Sequence, residues 1–338
     1  MVTRERPTLE AVARRAGVSR ATVSRVVNGS TTVAVAIRDA VNAAVEELGY
    51  VPNQAARSLV TQRTESIALI LPETASRVFS DDLFFPAVIR GVSLELEAAD
   101  KQLVLMMAGS AASHDRVERY AMAGHVDGVM FASMHGADPL PGSLARLGIP
   151  VVCSGRPMSP PASPVPYVDV DHVGGVARAV RHLLGTGRRR IATIAGPQDM
   201  IAGVDRLHGY RITLDEAGLT GHTAFGDFTR DSGARAMAEL LRTAPDLDAV
   251  FVASDMMAHG ALQALKDAGR RVPDDVAVIG FDDVDISRYS DPPLTTVRQP
   301  IVDIGRTMAQ LMLGLVQERD DVPEAVMLPT ELVVRGSA

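Results

Sequence analysis

Residues 65–338 alternate short apolar runs with amphipathic stretches of helical length, and this alternation constrains the fold more than any other feature of the sequence. Strands that alternate with helices predict parallel sheets with helices on both faces. The region is too long for one such sheet, so we expect two α/β lobes. The predicted strands are Ile67–Leu71, Leu103–Met107, Val126–Phe131, Pro150–Cys153, Ile191–Ala195, Ala249–Ala253 and Val276–Phe281, and the clearest predicted helices are Val176–Leu184 and Met256–Ala268.

Two stretches indicate where the chain passes between the lobes. The proline-rich tract Pro157–Pro166 precedes a crossing at Tyr167–Asp171, and Ser290–Pro293 precedes a return. We therefore expect a first lobe of about 65–167 and 296–323, and a second lobe of about 168–295 and 324–338.

Residues 1–51 have a different pattern, which predicts three short helices. Thr8 is a plausible N-cap for the first helix, and Gly17 is suited to end it. Ser19 can cap the second helix, which Asn28-Gly29 would stop. Ile37, Ala40, Val41, Ala44, Val45 and Leu48 lie at helical spacing in the third. Helix, glycine turn, helix and a supporting helix describe a helix-turn-helix unit.

The second predicted helix has the chemistry of a DNA-reading helix. Val23, Val26 and Val27 form its inner face, so the opposite side presents Arg20, Ala21, Ser24 and Arg25. Arginine can donate two hydrogen bonds to guanine in the major groove, and Ser19, Thr22 and Ser24 are suited to phosphate oxygens. Residues 1–63 carry nine arginines and five acidic residues, a net charge of +4, whereas the remainder carries −11. This asymmetry favours a nucleic-acid contact at one end of the chain.

Several classes of protein are not supported by the sequence. Cys153 is the single cysteine, which excludes an intramolecular disulfide and a thiolate-cluster metal site. No apolar run approaches the roughly 18–20 residues that span a bilayer, and the first residues do not resemble a secretion signal, so we expect a cytoplasmic protein. Phosphate-loop, nucleophile-elbow and zinc-helix motifs are missing, so we expect neither an enzyme nor a resident cofactor or metal.

The headpiece, defined as residues 1–51, resembles that of the lactose-repressor (LacI/GalR) family in the segment TLEAVARRAGVSRATVSRVVNGS. The following segment LGYVPNQAARSL resembles the family's hinge, which we place at 52–64. Val35-Ala36 departs from the more polar or proline-containing pair of many members. The resemblance implies that the hinge pairs across a dimer in the minor groove and that Leu59 wedges into a base step. The DNA-contacting set that it implies is Thr8, Ser19, Arg20, Ala21, Thr22, Ser24, Arg25, Asn28, Asn53, Ala56, Arg57 and Leu59.

The hinge also has a physical argument of its own. Asn53–Leu59 spans only about two helical turns, and isolated helices of fewer than roughly 12 residues are marginal in water. We therefore expect this segment to order only when something packs on it. A plain linker between domains is the alternative interpretation.

The resemblance extends through residues 65–338, which we interpret as a sensor with lobes like those of periplasmic sugar-binding proteins. It places effector contacts at Arg206, Ser254 and Asp282, an aromatic wall at Phe228, and further pocket positions at Asp169 and Phe85. We read Arg206 as the start of the helix after the Gly196-Pro197 turn. The ordinary alternatives are that an aspartate after a strand is a helix cap and that Phe228 is core.

A sugar fits this set better than a purine. An aspartate and an arginine together can bind vicinal hydroxyls while a ring packs on the apolar sugar face. Purine-sensing members carry arginine and threonine at the positions that are Met200 and Ala202 here. The resemblance implies a repressor of a near-palindromic operator. Because sugar sensors of this family usually act by induction, we expect a mono- or oligosaccharide to release the protein from DNA. Co-repression by ligand is the alternative, and a solute-binding protein a weaker one.

We also expect a homodimer. The sequence ends at VVRGSA without a leucine-heptad tail, and a closed two-fold pair presents two reading helices to a near-palindrome.

Overall fold

The computed structural model describes residues 7–27, 30, 32–51, 63–79, 83–159 and 163–338. The chain divides into two compact units, residues 1–64 and residues 65–338, and each is described by itself. Within these described ranges, no helix is both long and apolar enough to cross a membrane.

The first unit is a cluster of helices: α1 is Leu9–Ala16, α2 is Arg20–Val27 and α3 is Val35–Leu48. Thr8 caps α1 by accepting a hydrogen bond from the Ala11 amide (3.3 Å), and Gly17 ends α1 with φ of 66°. Val12, Val23 and Val41, one from each helix, are fully buried and form the centre of a small core. The predicted helix-turn-helix architecture is confirmed.

The second unit contains a first lobe built on a parallel sheet. Its described strands are β1 (Ser66–Leu71), β2 (Gln102–Met107), β3 (Gly128–Phe131), β4 (Val151–Ser154), β5 (Tyr167–Val170) and β11 (Ala325–Leu328), in the order β11-β5-β4-β3-β1-β2. The helices of this lobe are α4 (Ala75–Val78), α5 (Phe84–Ala98), α6 (Ala111–Met122), α7 (Leu140–Arg146) and α13 (Ile301–Val316). Separate apolar clusters cover the two faces of the sheet, as its continuously apolar strands require.

The second lobe repeats this architecture. Its described strands are β6 (Ile191–Ala195), β7 (Thr223–Phe225), β8 (Ala249–Val252), β9 (Ala277–Asp282), β10 (Thr295–Arg298) and β12 (Glu331–Val333), in the order β12-β10-β9-β8-β6-β7. Of the described strands in this sheet, β12 alone runs in the opposite direction, antiparallel to its neighbour β10. The helices are α8 (His172–Gly185), α9 (Ile201–Glu216), α10 (Arg230–Thr243), α11 (Asp255–Asp267) and α12 (Ile286–Tyr289). The predicted two-lobed α/β fold is confirmed.

The lobe limits differ by a few residues from those expected from the sequence. Residues 168–170 remain in the first sheet, 296–298 remain in the second sheet, and 325–328 return to the first. The reason is that each crossing segment is itself a strand of a sheet. The apolar residues of such a strand do not indicate which of the two sheets it joins. The chain changes lobe after these strands, at Asp171, Gln299-Pro300 and Pro329-Thr330.

Candidate functional site

A cleft of about 930 Å³, counting its open mouth, lies between the two lobes of the sensor. Its walls come from loops and helix starts that follow the carboxyl ends of the strands, where open parallel sheets present polar groups. All six effector positions expected from the sequence line it: Phe85, Asp169, Arg206, Phe228, Ser254 and Asp282. These residues come from distant parts of the chain, and folding brings them to one place.

Arg206 lies at the centre of a buried network. It is the sixth residue of α9 rather than its first, so the expectation that it starts the helix is wrong. The residue is only 4% exposed, its Nη1 donates to the Ala253 carbonyl (2.6 Å), and it lies 3.4 Å from Asp282 Oδ1. Its guanidinium stacks on the Phe281 ring at 3.7 Å. These contacts hold the guanidinium in one orientation.

His172 connects Arg206 to Asp169 and was not identified from the sequence. Arg206 Nε donates to His172 Nδ1 (3.3 Å), so the ring proton lies on Nε2, which faces Asp169 Oδ1 at 3.2 Å. Burial lowers the pKa of His172, which keeps the imidazole neutral. A neutral ring that accepts from Arg206 and donates to Asp169 fixes the relative position of the two predicted contacts.

Asp169 remains ionised although it is buried. Burial alone would raise its pKa, but hydrogen bonds from His172 and from the Arg156 and Val170 amides (3.1 and 2.8 Å) hold the pKa below its usual value. Asp169 therefore presents an anchored carboxylate to the cleft.

Arg156 and Gln299 are further cleft residues that sequence reasoning missed. Arg156 follows β4 of the first lobe, and its guanidinium makes a two-pronged ion pair with Asp205 on α9 of the second lobe; Nη2 lies 2.8 Å from Asp205 Oδ1. Gln299 Nε2 donates to Asp282 Oδ1 (2.6 Å). The position of Arg156 just after β4 was the only sequence feature that could have indicated a cleft residue. Its ion-pair partner Asp205 lies 49 residues further along the chain, so the pair itself could not be predicted.

Ser254 and Asp255 have structural roles that the sequence left open. The Ser254 hydroxyl caps α11 by accepting from the Met257 amide (3.2 Å), while the residue also lines the cleft. Asp255 is fully buried and accepts from the Val284 amide (3.0 Å) and the Thr296 hydroxyl (2.6 Å). Burial raises its pKa well above the usual range. Asp255 thus supports the loop after β9 and does not line the cleft.

Two predicted contact residues have unusual backbone conformations. Phe228 has φ of 67° and Asp282 has φ of 117°, a region that residues with a Cβ rarely adopt. Such conformations concentrate at functional sites and are maintained by surrounding contacts. At Asp282 those contacts include Arg206 and Gln299.

The headpiece residues form a separate, exposed surface on α2. Arg20, Ala21 and Arg25 are exposed, and Thr22 and Ser24 are half-buried. Arg20 Nε lies 3.1 Å from Glu10 Oε1, a surface pair of the kind that exchanges readily for another anion. Ser19 Oγ accepts from the Thr22 amide (3.1 Å), as predicted for a cap. Asn28, Asn53, Ala56, Arg57 and Leu59 lie outside the described residues.

Comparison with known proteins accounts for both units. Residues 8–53 match the family described as bacterial regulatory proteins, lacI family, and residues 180–338 match a periplasmic binding protein-like domain. The HTH-type transcriptional regulator CelR of Thermobifida fusca is 49% identical over 340 residues, covering 100% of both chains. The HTH-type transcriptional repressor CytR of Escherichia coli K12 is 32% identical, covering 98% of this chain and 96% of its own.

Two solved structures are also similar. A transcriptional regulator CelR–cellobiose complex has a TM-score of 0.78 and 47% identity, covering 98% of this chain and 100% of that chain. A lac repressor dimer bound to operator and the anti-inducer ONPF has a TM-score of 0.85 and 28% identity, covering 98% and 99%.

Proposed function

This chain belongs to the lacI family of bacterial regulatory proteins, and from this premise we propose that cellobiose, or a closely related neutral disaccharide, binds in its cleft and releases it from operator DNA. The chain is a DNA-binding transcription repressor and not an enzyme. The observation that carries the ligand proposal is the convergence of the six expected positions in one cleft around the Arg206–Asp282 pair.

The charge balance of the cleft favours a neutral ligand. Among the described residues, the arginines that line it are Arg77, Arg156 and Arg206. Each of them lies beside a carboxylate: Arg77 lies 3.5 Å from Glu73, Arg156 makes the two-pronged ion pair with Asp205, and Arg206 lies 3.4 Å from Asp282. A phosphorylated sugar or a uronic acid would therefore find no surplus positive charge.

The remaining chemistry suits a sugar. Asp169 and Asp282 can accept hydrogen bonds from hydroxyls, and the arginines can donate to hydroxyl oxygens. Phe228, which is partly exposed, supplies aromatic surface for the apolar face of a pyranose ring, and the buried Phe85 borders the same cleft. Met200 and Ala202 also line the cleft, and neither can recognise a purine carbonyl or ring nitrogen. The likeness to CelR and to its cellobiose complex supports this ligand class.

The proposed division of the chain is a DNA-binding headpiece at 1–51, a hinge at 52–64 and a sensor at 65–338. Arg20 and Arg25 would read base edges, Thr8, Ser19, Ala21, Thr22, Ser24 and Asn28 would contact the operator near them, and Asn53, Ala56, Arg57 and Leu59 would engage the minor groove. A homodimer places two such sets on a near-palindromic operator. The likeness to the lac repressor dimer on its operator supports this assembly.

Isothermal titration of the full chain with cellobiose, adenosine and glucose 6-phosphate tests the ligand. We expect cellobiose alone to bind, and Asp282→Asn to weaken binding at least about tenfold, because a charge-assisted hydrogen bond is lost. Asparagine tolerates positive φ, so this variant preserves the backbone at residue 282. Asp215→Asn, an exposed position on α9, is the control that should bind normally. Binding of adenosine or glucose 6-phosphate without cellobiose would overturn the proposal.

A further inference from the structure

The mouth of the cleft is bridged on one side by two loops, which we call the first lip (Ser133–Gly136, after β3) and the second lip (Gln198–Met200, after β6). The Gly136 amide donates to the Asp199 carbonyl (2.5 Å), so backbone joins the lips directly. Ser133, Met134, Gly136 and Met200 also line the cleft. Contact between the lips therefore borders the space that a ligand occupies.

His135 of the first lip reinforces this contact. Its Nδ1 lies 2.9 Å from Asp199 Oδ2 on the second lip, and its Nε2 lies 3.1 Å from Glu73 Oε1 in its own lobe. Both neighbours are carboxylates, which accept and do not donate when ionised. A ring with both nitrogens facing carboxylates satisfies them fully when it carries two protons and a positive charge.

Glu73 forms a fixed base for this bridge. Its side chain is only 10% exposed, and its Oε1 accepts from the Ser133 hydroxyl (3.0 Å) and lies 3.5 Å from Arg77 Nε. Asp199, in contrast, is 58% exposed at the edge of the second lobe. The Glu73 end of the bridge is therefore anchored within the first lobe. The Asp199 end belongs to the second lobe and would separate from His135 if the lobes moved apart.

We propose that His135 is a charged clasp between the lips, which holds the lobes together over a bound ligand and slows the ligand's escape. The proposal rests on the proposed function, since it assumes that a ligand binds in the cleft. None of the residues that form the clasp belongs to the expected effector set, so the clasp acts on closure and not on recognition.

The protonation of His135 supports the clasp. The hydrogen bond with Glu73 raises its pKa to about 9, with partial burial opposing and Asp199 adding to the effect. Arg77 beside Glu73, and His114 and Asp138 along the same groove, are the other charged or titratable groups nearby. Because the pKa of His135 is raised from 6.5, the stabilisation of the lip contact by the charged imidazole is complete below about pH 6.5. This stabilisation is lost as pH rises through about 9. The clasp is therefore charged at neutral pH.

The test compares the full-length wild type with His135→Ala and Asp199→Asn by two measurements. Hydrogen exchange at the Gly136 amide reports lip contact without any ligand, and stopped-flow dissociation of cellobiose reports escape. Because the pair is partly exposed, we expect both rates to rise about two- to fivefold in either variant, and the double variant to add little. His222→Ala, an exposed histidine of the second lobe, should match the wild type.

The pH dependence separates the clasp from a merely structural role. Wild-type exchange at Gly136, corrected for intrinsic exchange, should accelerate as pH rises through about 9, and His135→Ala should lack this step. Unchanged exchange and dissociation in both variants would overturn the clasp. Failure of cellobiose to bind the wild type would overturn the ligand proposal instead, while the exchange measurement would still decide the clasp.

Discussion

Arg25 in the headpiece and Arg206 in the sensor show how differently the two units use the same side chain. Arg25 is exposed on α2, whereas Arg206 is 4% exposed and contacts Asp282, His172, a carbonyl and an aromatic face. An exposed arginine can adapt to a phosphate or a base edge, while the buried one is held in a fixed orientation at the wall of the cleft. The headpiece surface is thus set by a short local motif, and the sensor site by contacts between distant segments.

The largest effect that this comparison predicts is on stability. Arg206→Met leaves Asp282 without its cation and removes the buried Arg206 donors to His172 and to the Ala253 carbonyl, so we expect the sensor to lose about 3–5 kcal/mol of unfolding free energy. Arg25→Met in the headpiece should change the unfolding free energy by no more than about 0.5 kcal/mol. Urea denaturation of both variants measures this. Equal losses would contradict the contrast between the two arginines.

The headpiece should show the converse sensitivity in DNA recognition. Arg20→Ala and Arg25→Ala should each relax base preference at one operator position, at a cost of about 1–3 kcal/mol, because bidentate guanine contacts discriminate by that amount. Binding to a library of single-base operator variants gives the measurement. A uniform loss of affinity on all sequences would mean that these side chains contact phosphates.

A smaller effect is expected at Ser19, where a structural and a binding role overlap. Ser19→Ala removes the cap of α2 and should cost the headpiece about 0.5–2 kcal/mol of stability. Ser19→Asp keeps a capping oxygen but brings negative charge toward phosphates, so it should retain stability and still weaken DNA binding equally on all sequences. Thermal unfolding measures the stability of each variant, and filter binding measures its affinity for DNA. An Asp variant that binds DNA as well as the wild type would remove Ser19 from the interface.

The same contrast explains what could be predicted from the sequence. The caps at Thr8 and Ser19 and the left-handed Gly17 follow from neighbouring residues, so local spacing was sufficient. In the sensor, the strands and helices were predictable from their periodicity, but the lobe to which residues 168–170 belong was not, because sheet pairing is a long-range property.

The cleft residues divide in the same way. The six expected positions came from the family resemblance, and the structure brings them together. His172, Arg156 and His135 could not be assigned, because each acquires its role from a partner that the fold supplies: Arg206, Asp205 and Asp199 respectively. The identity of such a partner cannot be predicted from a single histidine or arginine in the sequence.

The central claim, that a ligand in the sensor cleft governs the headpiece surface, is tested most directly by titrating operator binding with cellobiose. An operator selected from a random-sequence library would be bound by the wild type and by Asp282→Asn, with affinity measured by fluorescence anisotropy. We predict that a cellobiose concentration that saturates the wild type weakens its operator binding by about 5- to 150-fold, and that the same response of Asp282→Asn requires at least about tenfold more cellobiose. Tighter operator binding in the presence of cellobiose, or unchanged binding while cellobiose occupies the cleft, would contradict release by ligand.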